Sequence, residues 1–310
     1  MRHVLITGGA GFIGSNLTRH LSKVGGYRIS VFDNESEGDL GHVADYAMHC
    51  IRGDILDEDA LAAALEGVDV VVHLAADTGV LQSIEDPEHG FRANAFGTFQ
   101  LLKLARAAGV SRVLNASTGG AILGEVPPPA HEDIVPRPVS PYGASKLAAE
   151  GYCAAFAGSY GLSTASLRFS NVYGPGSYHK GSVVAAFFKR LLEGKRLTVY
   201  GDGSQTRDFL FVGDLAEGIR LAIESEAQGV YQLGSGRPTS LIELLDEMRQ
   251  TIGDFGPVEV DFKAFRTGEI RATWCDISKA RRALEFDPRT PLQDGLRQTW
   301  AWFRQAYGAG

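Results

Sequence analysis

The stretch TGGAGFIG, residues 7–14, decides how the chain folds. It follows a short apolar run, Arg2–Thr7, and precedes an amphipathic stretch, Phe12–Lys23, so it joins a predicted strand to a predicted helix. The first glycines let the backbone turn sharply, and the helix that begins there directs free N–H groups and the positive end of its dipole outward. The last glycine lets helix and strand pack closely. In this context the pattern predicts a site for the pyrophosphate of a dinucleotide. The residues expected to form it are Gly8, Gly11, Phe12, Ile13 and Gly14.

The next predicted strand, Arg28–Asp33, ends in a carboxylate at the distance from the glycines where an acid binds the ribose hydroxyls of a dinucleotide. A carboxylate at Asp33 repels a 2′-phosphate, and Asn34 follows it instead of Arg or Lys. The pattern therefore favours NAD over NADP. After the third strand, Asp54 and its neighbour Ile55 are candidates for the adenine end, although Asp54 is also placed to cap the next helix.

Strands and helices alternate through the first half of the chain. The predicted strands are Arg2–Thr7, Arg28–Asp33, His49–Arg52, Val68–Leu74, Arg112–Ala116 and Thr164–Phe169, and the predicted helices are Phe12–Lys23, Asp57–Ala64, Ala95–Ala107 and Pro141–Tyr160. Val-rich strands without polar alternation indicate a sheet covered on both faces. We expect an α/β fold with a Rossmann-type, doubly wound parallel sheet over residues 1–170. Glycine-rich breaks after residue 170 predict a smaller α/β lobe over residues 171–310, with some segments returning to the first domain.

The composition is that of an ordinary globular protein, with 310 residues of which 44% are hydrophobic and 22% charged. No apolar run is long enough to span a bilayer, and the first residues lack a signal-peptide pattern. The net charge of −7, without a block of like charge, disfavours nucleic acid as a partner. Three scattered cysteines fit a reduced compartment and predict no metal site. We therefore expect a cytoplasmic protein with neither a membrane nor a nucleic-acid partner.

The stretch SPYGASK, residues 140–146, opens a predicted helix and carries the candidate catalytic pair. Tyr142 and Lys146 lie four residues apart on one helical face, about 6 Å along the axis. A tyrosine ordinarily has a pKa of about 10, and a nearby ammonium together with a positive nicotinamide ring would lower the pKa of Tyr142. Upstream, a strand runs into Ser117 and Thr118, either of which can align a reacting oxygen.

These motifs resemble those of the extended short-chain dehydrogenases/reductases, in the NAD-dependent epimerase/dehydratase group, over nearly the whole chain. The resemblance implies that the stretch HLAA, residues 73–76, lies beneath the nicotinamide and that Asn94 is the family's structural asparagine. Further cofactor contacts that it implies are Leu74, Ala75, Ala76, Asn94, Tyr142, Lys146 and Phe169, with Lys146 holding the nicotinamide ribose. The substrate contacts that it implies are Thr118, Tyr142, Asn171, Val183, Tyr200, Arg207, Arg266 and Arg271, with the arginines forming a clamp for the diphosphate of a UDP-sugar.

The segment after the candidate hydroxyls bears on the reaction. Dehydratases of the group carry an Asp-Glu pair there and decarboxylases a Glu shortly downstream, whereas this chain has GGA at residues 119–121, as in bacterial UDP-glucose 4-epimerases. The resemblance implies a 4-epimerase, in which C4 of the sugar is transiently oxidised and hydride returns to the opposite face. Leu123 departs from the family's tyrosine, which we expect to affect local geometry only. A dehydratase, a decarboxylase, a 4-keto-sugar reductase and a non-catalytic NAD-binding sensor are the alternatives.

The sugar and the oligomeric state rest on the resemblance alone. Asn171 stands where carboxylate-binding relatives have Thr, which weakens a uronic-acid substrate, and Thr273 leaves room for an N-acetyl group. We expect UDP-glucose/UDP-galactose first, the N-acetylated pair second and UDP-glucuronate third. The family usually dimerises through two helices per subunit, here Ala95–Ala107 and the helix of Tyr142, so a homodimer is expected.

Overall fold

Apolar runs alternating with amphipathic segments produce a parallel sheet with helices on both faces in the computed structural model, which describes residues 1–265 and 271–308. The strands are β1 Arg2–Thr7, β2 Tyr27–Asp33, β3 His49–Arg52, β4 Val70–His73, β5 Arg112–Thr118, β6 Ser163–Phe169, β7 Asn171–Tyr173, β8 Leu197–Tyr200, β9 Thr206–Arg207, β10 Phe209–Phe211, β11 Gly229–Leu233, β12 Thr239–Ser240 and β13 Val260–Lys263. The helices are α1 Phe12–Val24, α2 Glu58–Ala64, α3 Val80–Glu85, α4 Pro87–Gly90, α5 Gly97–Ala107, α6 Gly119–Leu123, α7 Pro141–Tyr160, α8 Val183–Leu192, α9 Val212–Glu224, α10 Leu241–Ile252, α11 Ser278–Leu284 and α12 Leu292–Tyr307.

The main sheet has seven parallel strands in the order β11-β6-β5-β4-β1-β2-β3. The strand order reverses at β1, where Val4 pairs with Ile29 of β2 on one side and with Val70 of β4 on the other. In such a doubly wound sheet a crevice opens at the carboxyl ends of the strands on either side of this switch point. The sheet therefore directs the loops after β1, β2 and β4 to one ligand-binding edge.

The two faces of the sheet carry separate apolar cores, as the Val-rich strands predicted. One face packs against α1, α9 and α11, with Leu17 and Ile219 fully buried. The other packs against α2, α5 and α7, with Leu61 and Leu101 fully buried. The predicted fold class is confirmed.

The predicted elements agree with the structure within a few residues, with two informative differences. The helix predicted over Ala95–Ala107 begins as a wider π-helical segment, Phe91–Phe96, and becomes α5 only at Gly97. Strand β11 joins the edge of the main sheet beside β6, with Gln232 opposite Arg168. A return of later segments was expected, but which residues form it depends on a tertiary contact that no local pattern specifies.

A third apolar core lies in the second half of the chain, where α8, α10 and α12 pack around Phe188, Met248 and Phe303. Two-stranded pairings, β10 with β7, β12 with β9 and β13 with β8, frame it. The division into domains at residue 170 stays a prediction. Within the described part of the chain, no helix has the length and apolar character needed to cross a membrane.

Candidate functional site

The glycines after β1 form an open cradle at the start of α1. Gly8 has φ +69°, and a Cβ there would lie 2.5 Å from the backbone nitrogen of Ala75. A Cβ on Gly14 would lie 2.4 Å from the oxygen of Gly8, so these two glycines are required by close packing. A Cβ on Gly11 would meet only that same oxygen, at 3.4 Å, so its face is open.

The first turn of α1 adds the electrostatic part of this cradle. Its N-cap residue, Gly11, provides no side-chain cap, and no acidic residue lies in the turn that begins with Phe12 and Ile13. Backbone N–H groups at a helix start, with the positive dipole end behind them, suit an anionic diphosphate. The predicted pyrophosphate residues are therefore brought together in a geometry that fits a dinucleotide.

Asp33 lies at the end of β2, next to the cradle, with 8% of its surface exposed. Its carboxylate accepts hydrogen bonds from the backbone nitrogens of Ala10, at 3.0 Å, and Glu35, at 2.8 Å. Burial raises the pKa of Asp33, and these two hydrogen bonds oppose the rise. Asp33 thus ties the glycine turn to the loop after β2.

The adenine-end candidates are also adjacent, but one alternative for Asp54 is wrong. Asn34 Nδ2 donates to Asp54 Oδ2 at 2.9 Å, and Asp54 Oδ1 accepts from the nitrogen of Leu56. The cap of α2 is Asp57, whose carboxylate accepts from the nitrogen of Ala60 at 3.1 Å. The helix begins three residues later than an Asp54 cap requires, because residues 54–57 first form a turn.

The loop after β4 is fastened by Asn94 and lies over the cradle. The side chain of Asn94 is 1% exposed and exchanges two 2.9 Å hydrogen bonds with the backbone of Asp77. Its Nδ2 also donates to Ser145 Oγ at 3.0 Å. The amide of Asn94 is therefore engaged in joining the loop of Leu74, Ala75 and Ala76 to α7.

Helix α7 begins where the sequence predicted. Ser140 caps it by accepting from the nitrogen of Gly143, and Pro141 occupies its first position. This places Tyr142 in the first turn, where its backbone nitrogen donates to Ser83 Oγ at 3.0 Å. No sequence signal identified Ser83, because the short helix α3 is embedded in what the sequence presents as a loop.

The electrostatics of Tyr142 and Lys146 differ from the expectation. Burial raises the pKa of Tyr142 to about 12, and the charge of Asp77 adds to the rise. Burial lowers the pKa of Lys146 to about 8, and its Nζ donates to the oxygen of Ala116 at 3.0 Å. In the chain alone the shift of the Tyr142 pKa is upward, because burial and the charge of Asp77 both raise it.

The two candidate hydroxyls at the end of β5 point in opposite directions, as successive strand residues do. Thr118 lines a cleft of about 700 Å³ together with Tyr142. Ser117 is 5% exposed, and its Oγ donates to Glu150 Oε1 at 2.6 Å, away from that cleft. Leu123, five residues after Thr118, is buried in a small apolar cluster with Ile122.

The cleft brings together part of the predicted substrate set. Its volume lies in the range usual for small-molecule sites. The predicted residues that line it are Thr118, Tyr142, Phe169, Asn171, Arg207 and Thr273. Val183, Tyr200 and Arg271 are not among the lining residues, and Arg266 lies outside the described part of the chain. Arg271 stacks on the ring of Phe265 at 5.1 Å, and its oxygen accepts from the nitrogen of Thr206, beside Arg207.

Other lining residues were missed by sequence reasoning. They are Val80, Leu81 and Ile84 of α3, together with Val139, Asp208, Gln232, Trp274 and Cys275. The carboxylate of Asp208 accepts five hydrogen bonds, from Ser235, Gly236 and Cys275, so it is fully engaged. Asp208, just before β10, holds a turn some 27 residues further along the chain, and such a long-range contact leaves no distinctive sequence signal.

Comparison with known proteins places this geometry in context. The family model that describes the NAD dependent epimerase/dehydratase family matches residues 4–234. The chain is similar to a UDP-glucuronate 4-epimerase of Thermodesulfobacterium geofontis, with 32% identity over 98% of this chain and 97% of that protein.

Two solved structures are similar throughout. One is a UDP-glucose 4-epimerase of Thermus thermophilus in complex with NAD, with a TM-score of 0.90, 38% identity, and coverage of 98% and 99% of the two chains. The other is a UDP-N-acetylglucosamine 4-epimerase of Methanobrevibacter ruminantium, with a TM-score of 0.92, 30% identity and 98% coverage of both chains.

Proposed function

Because the chain belongs to the NAD dependent epimerase/dehydratase family, we propose that it is a nucleotide-sugar 4-epimerase that interconverts UDP-glucose and UDP-galactose. The observation that carries the proposal is the cleft in which Thr118 and Tyr142 stand beside the small residues Gly119–Ala121. The single carboxylate among its described lining residues, Asp208, already accepts five hydrogen bonds. No acid is thus available there for the elimination that a dehydratase performs.

NAD is the cofactor of this family, and the residues present fit it. The open face of Gly11 and the first turn of α1 would hold the diphosphate, and Asp33 the adenosine ribose. When bound, NAD supplies a hydride acceptor and, in its oxidised form, a positive charge.

Tyr142 is the proposed acid–base residue. Its phenolate oxygen takes the proton of the sugar 4-hydroxyl. It returns the proton after the 4-keto sugar has rotated and presents its opposite face. Lowering its pKa from about 12 to near 7 corresponds to about 7 kcal/mol of electrostatic stabilisation. The ammonium of Lys146 supplies part of this, and the Thr118 hydroxyl orients the 4-oxygen by a hydrogen bond.

The other end of the cleft suits a sugar diphosphate. Asn171 and Arg207 line it, and arginine is well suited to bind diphosphate oxygens. Arg207 is also the sole cation among the described lining residues, which supports a neutral sugar over a uronate. The N-acetylated pair is the second candidate, because Thr273 and the neighbouring small residues leave room for the acetyl group.

A homodimer is proposed through α5 and α7. These helices and the π-helical turn before α5 present adjoining aromatic rings, with the Phe99 and Tyr152 centroids 5.3 Å apart. Phe96, Tyr152 and Tyr160 are exposed at 41%, 43% and 52%. Aromatic patches of this kind on a protein surface are typical of association sites. Light scattering tests the proposal, and a monomer at micromolar concentration would contradict it.

The decisive experiment offers the purified protein UDP-glucose, UDP-N-acetylglucosamine and UDP-glucuronate separately, with catalytic NAD, and resolves the products by NMR. The 4-epimer should form without net NADH, and Tyr142→Phe should abolish it. Tyr160→Phe, which removes an exposed hydroxyl from the same helix, is the matched control and should stay active. Accumulation of NADH or release of carbon dioxide instead of an epimer would refute 4-epimerisation.

A further inference from the structure

Beneath the reacting end of the cleft lies a buried polar cluster that the proposed reaction does not use. It consists of Ser117 on β5, Glu150 on α7 and Arg168 on β6, which are 5%, 6% and 3% exposed. Glu150 Oε1 accepts from Ser117 Oγ at 2.6 Å and from Arg168 Nε at 2.8 Å, and its Oε2 accepts from a terminal nitrogen of Arg168 at 2.7 Å. None of the three lines the cleft.

Stability alone is a weak reason for such a cluster. A buried ion pair can often be replaced by apolar side chains without loss of stability, since desolvation offsets the attraction. Its position is more informative, because it links the elements that carry Thr118 and Lys146. Ser117 precedes Thr118 on β5, and successive side chains of a strand point to opposite faces. Ser117 therefore faces Glu150 while Thr118 faces the cleft. The hydrogen bond that anchors Ser117 therefore fixes the direction of Thr118.

The charge of the cluster also reaches the catalytic lysine. Glu150 follows Lys146 by four residues on α7, so both lie on one helical face. Its carboxylate raises the pKa of Lys146 against the lowering by burial. The other titratable groups that act on Lys146 are His73 on β4, whose pKa is lowered to about 3, and Cys153 on α7, whose pKa is raised to about 12.

Both of these groups are neutral near pH 7, and burial is the main cause of each shift. On the neighbouring strand β6, the charged group is Arg168, which is paired with Glu150 itself. Cys153 and, after it, Glu150 oppose the lowering of the pKa of Lys146 by burial, and because the thiol is neutral near pH 7, the carboxylate is the remaining charge of the two.

We infer that Glu150 is a positioning residue for the reaction, which fixes Thr118 through Ser117 and stands on the helical face of Lys146. The inference rests on the proposed function, since it assigns Glu150 a part in the same proton transfer. Arg168 holds the carboxylate in place through its two hydrogen bonds, while Lys146 is held to the strand by its hydrogen bond to the oxygen of Ala116. The cluster thus acts on the reaction without touching the substrate.

The test is the pH profile of Glu150→Gln, measured with the sugar that the wild type epimerises. Activity should fall as pH rises and Lys146 loses its proton, and removing the carboxylate lowers the pKa of Lys146. The basic limb of the pH–activity profile should move to lower pH by about half a unit or more. We expect kcat to fall about tenfold or more and KM to change less than about threefold. Ser117→Ala keeps all charges, so it should lower kcat a few-fold without moving the limb.

Glu217→Gln is the matched control, because Glu217 makes the same two-point contact with Arg220, at 2.7 and 2.8 Å, on the remote helix α9. It should leave the limb in place. If Glu150→Gln does not fold, Glu150→Gln/Arg168→Met removes both buried charges and should show the shifted limb. A folded Glu150 variant with the wild-type limb would overturn the inference, as would an equal shift in Glu217→Gln. Failure of the wild type to epimerise any of the three sugars would refute the proposed function instead.

Discussion

Replacing single glycines of the cradle by alanine should separate cofactor binding from folding. In Gly11→Ala the new Cβ meets only the oxygen of Gly8, at 3.4 Å, and the native φ of −72° suits alanine. Alanine is a poorer N-cap than glycine by up to about 1 kcal/mol, and the stiffer unfolded chain returns about 0.4–1 kcal/mol. The free energy of unfolding should therefore change by less than about 1 kcal/mol.

The same methyl group stands on the open face that the diphosphate is proposed to occupy. Gly11→Ala should thus weaken NAD binding at least tenfold, or about 1.4 kcal/mol. Gly14→Ala is the contrasting variant, because its Cβ would lie 2.4 and 2.5 Å from backbone atoms of Gly8 and Gly9. Backbone cannot yield as a flexible side chain does, so this variant should lose about 3 kcal/mol or more of stability.

Isothermal titration of cofactor-free protein with NAD gives the affinities, and thermal or urea unfolding without NAD gives the stabilities. The reasoning predicts a folded protein with weak NAD binding for Gly11→Ala and a destabilised protein for Gly14→Ala. Wild-type affinity in Gly11→Ala would refute the assignment of this face to the diphosphate. Equal stability of the two variants would refute the packing argument.

Three further variants probe the catalytic residues and the surface. Lys146→Met should raise the free energy of unfolding at pH 7 by up to about 3 kcal/mol, because a buried lysine whose pKa falls from 10.5 to about 8 destabilises the fold while it is charged. The unfolded chain holds more protons between those values, so this difference should shrink as pH rises from about 8 to about 10.5; urea unfolding across that range measures it, and a pH-independent difference would contradict the shift. Thr118→Val should lower kcat about a hundredfold, well beyond Ser117→Ala, and steady-state kinetics that rank the two in reverse would contradict the placement of the hydroxyls. Tyr152→Glu places a charge in the aromatic surface of α5 and α7 and should yield monomers by light scattering, whereas an intact dimer would exclude this surface.

The glycine turn and the start of α7 could be predicted because their signals are local. Gly8 is favoured by its positive φ and Gly14 by its contacts with Gly8 and Gly9 within one strand–turn–helix unit, and Ser140 and Pro141 specify a helix start by capping chemistry. Interactions between residues close together in the chain require particular residue types at fixed spacings, so they can be recognised in the sequence. The strand-to-helix boundaries of the first half follow from them.

The remaining features depend on contacts between distant segments. Ser117 is turned away from the cleft by its hydrogen bond to Glu150, 33 residues away along the chain, and Thr118 lines the cleft. The apolar wall of the cleft comes from α3, a six-residue helix whose face is set by the packing of Ser83 against Tyr142. Neither contact is marked in the sequence by a hydrophobic periodicity or by a characteristic turn residue.

The burial that opposes proton transfer in the chain alone also makes the reaction sensitive to charge. Desolvation raises the pKa of Tyr142 to about 12 and lowers that of Lys146 to about 8, so near pH 7 the phenol is neutral and the lysine is charged. In the same low-dielectric surroundings each added positive charge acts on the phenolate more strongly than it would in water. Lowering the pKa of Tyr142 from about 12 to near 7 requires about 7 kcal/mol, and we expect the Lys146 ammonium and the oxidised cofactor to contribute to it together. We therefore expect Tyr142 to become a base only once the cofactor site is filled, which would couple proton removal to the presence of the hydride acceptor.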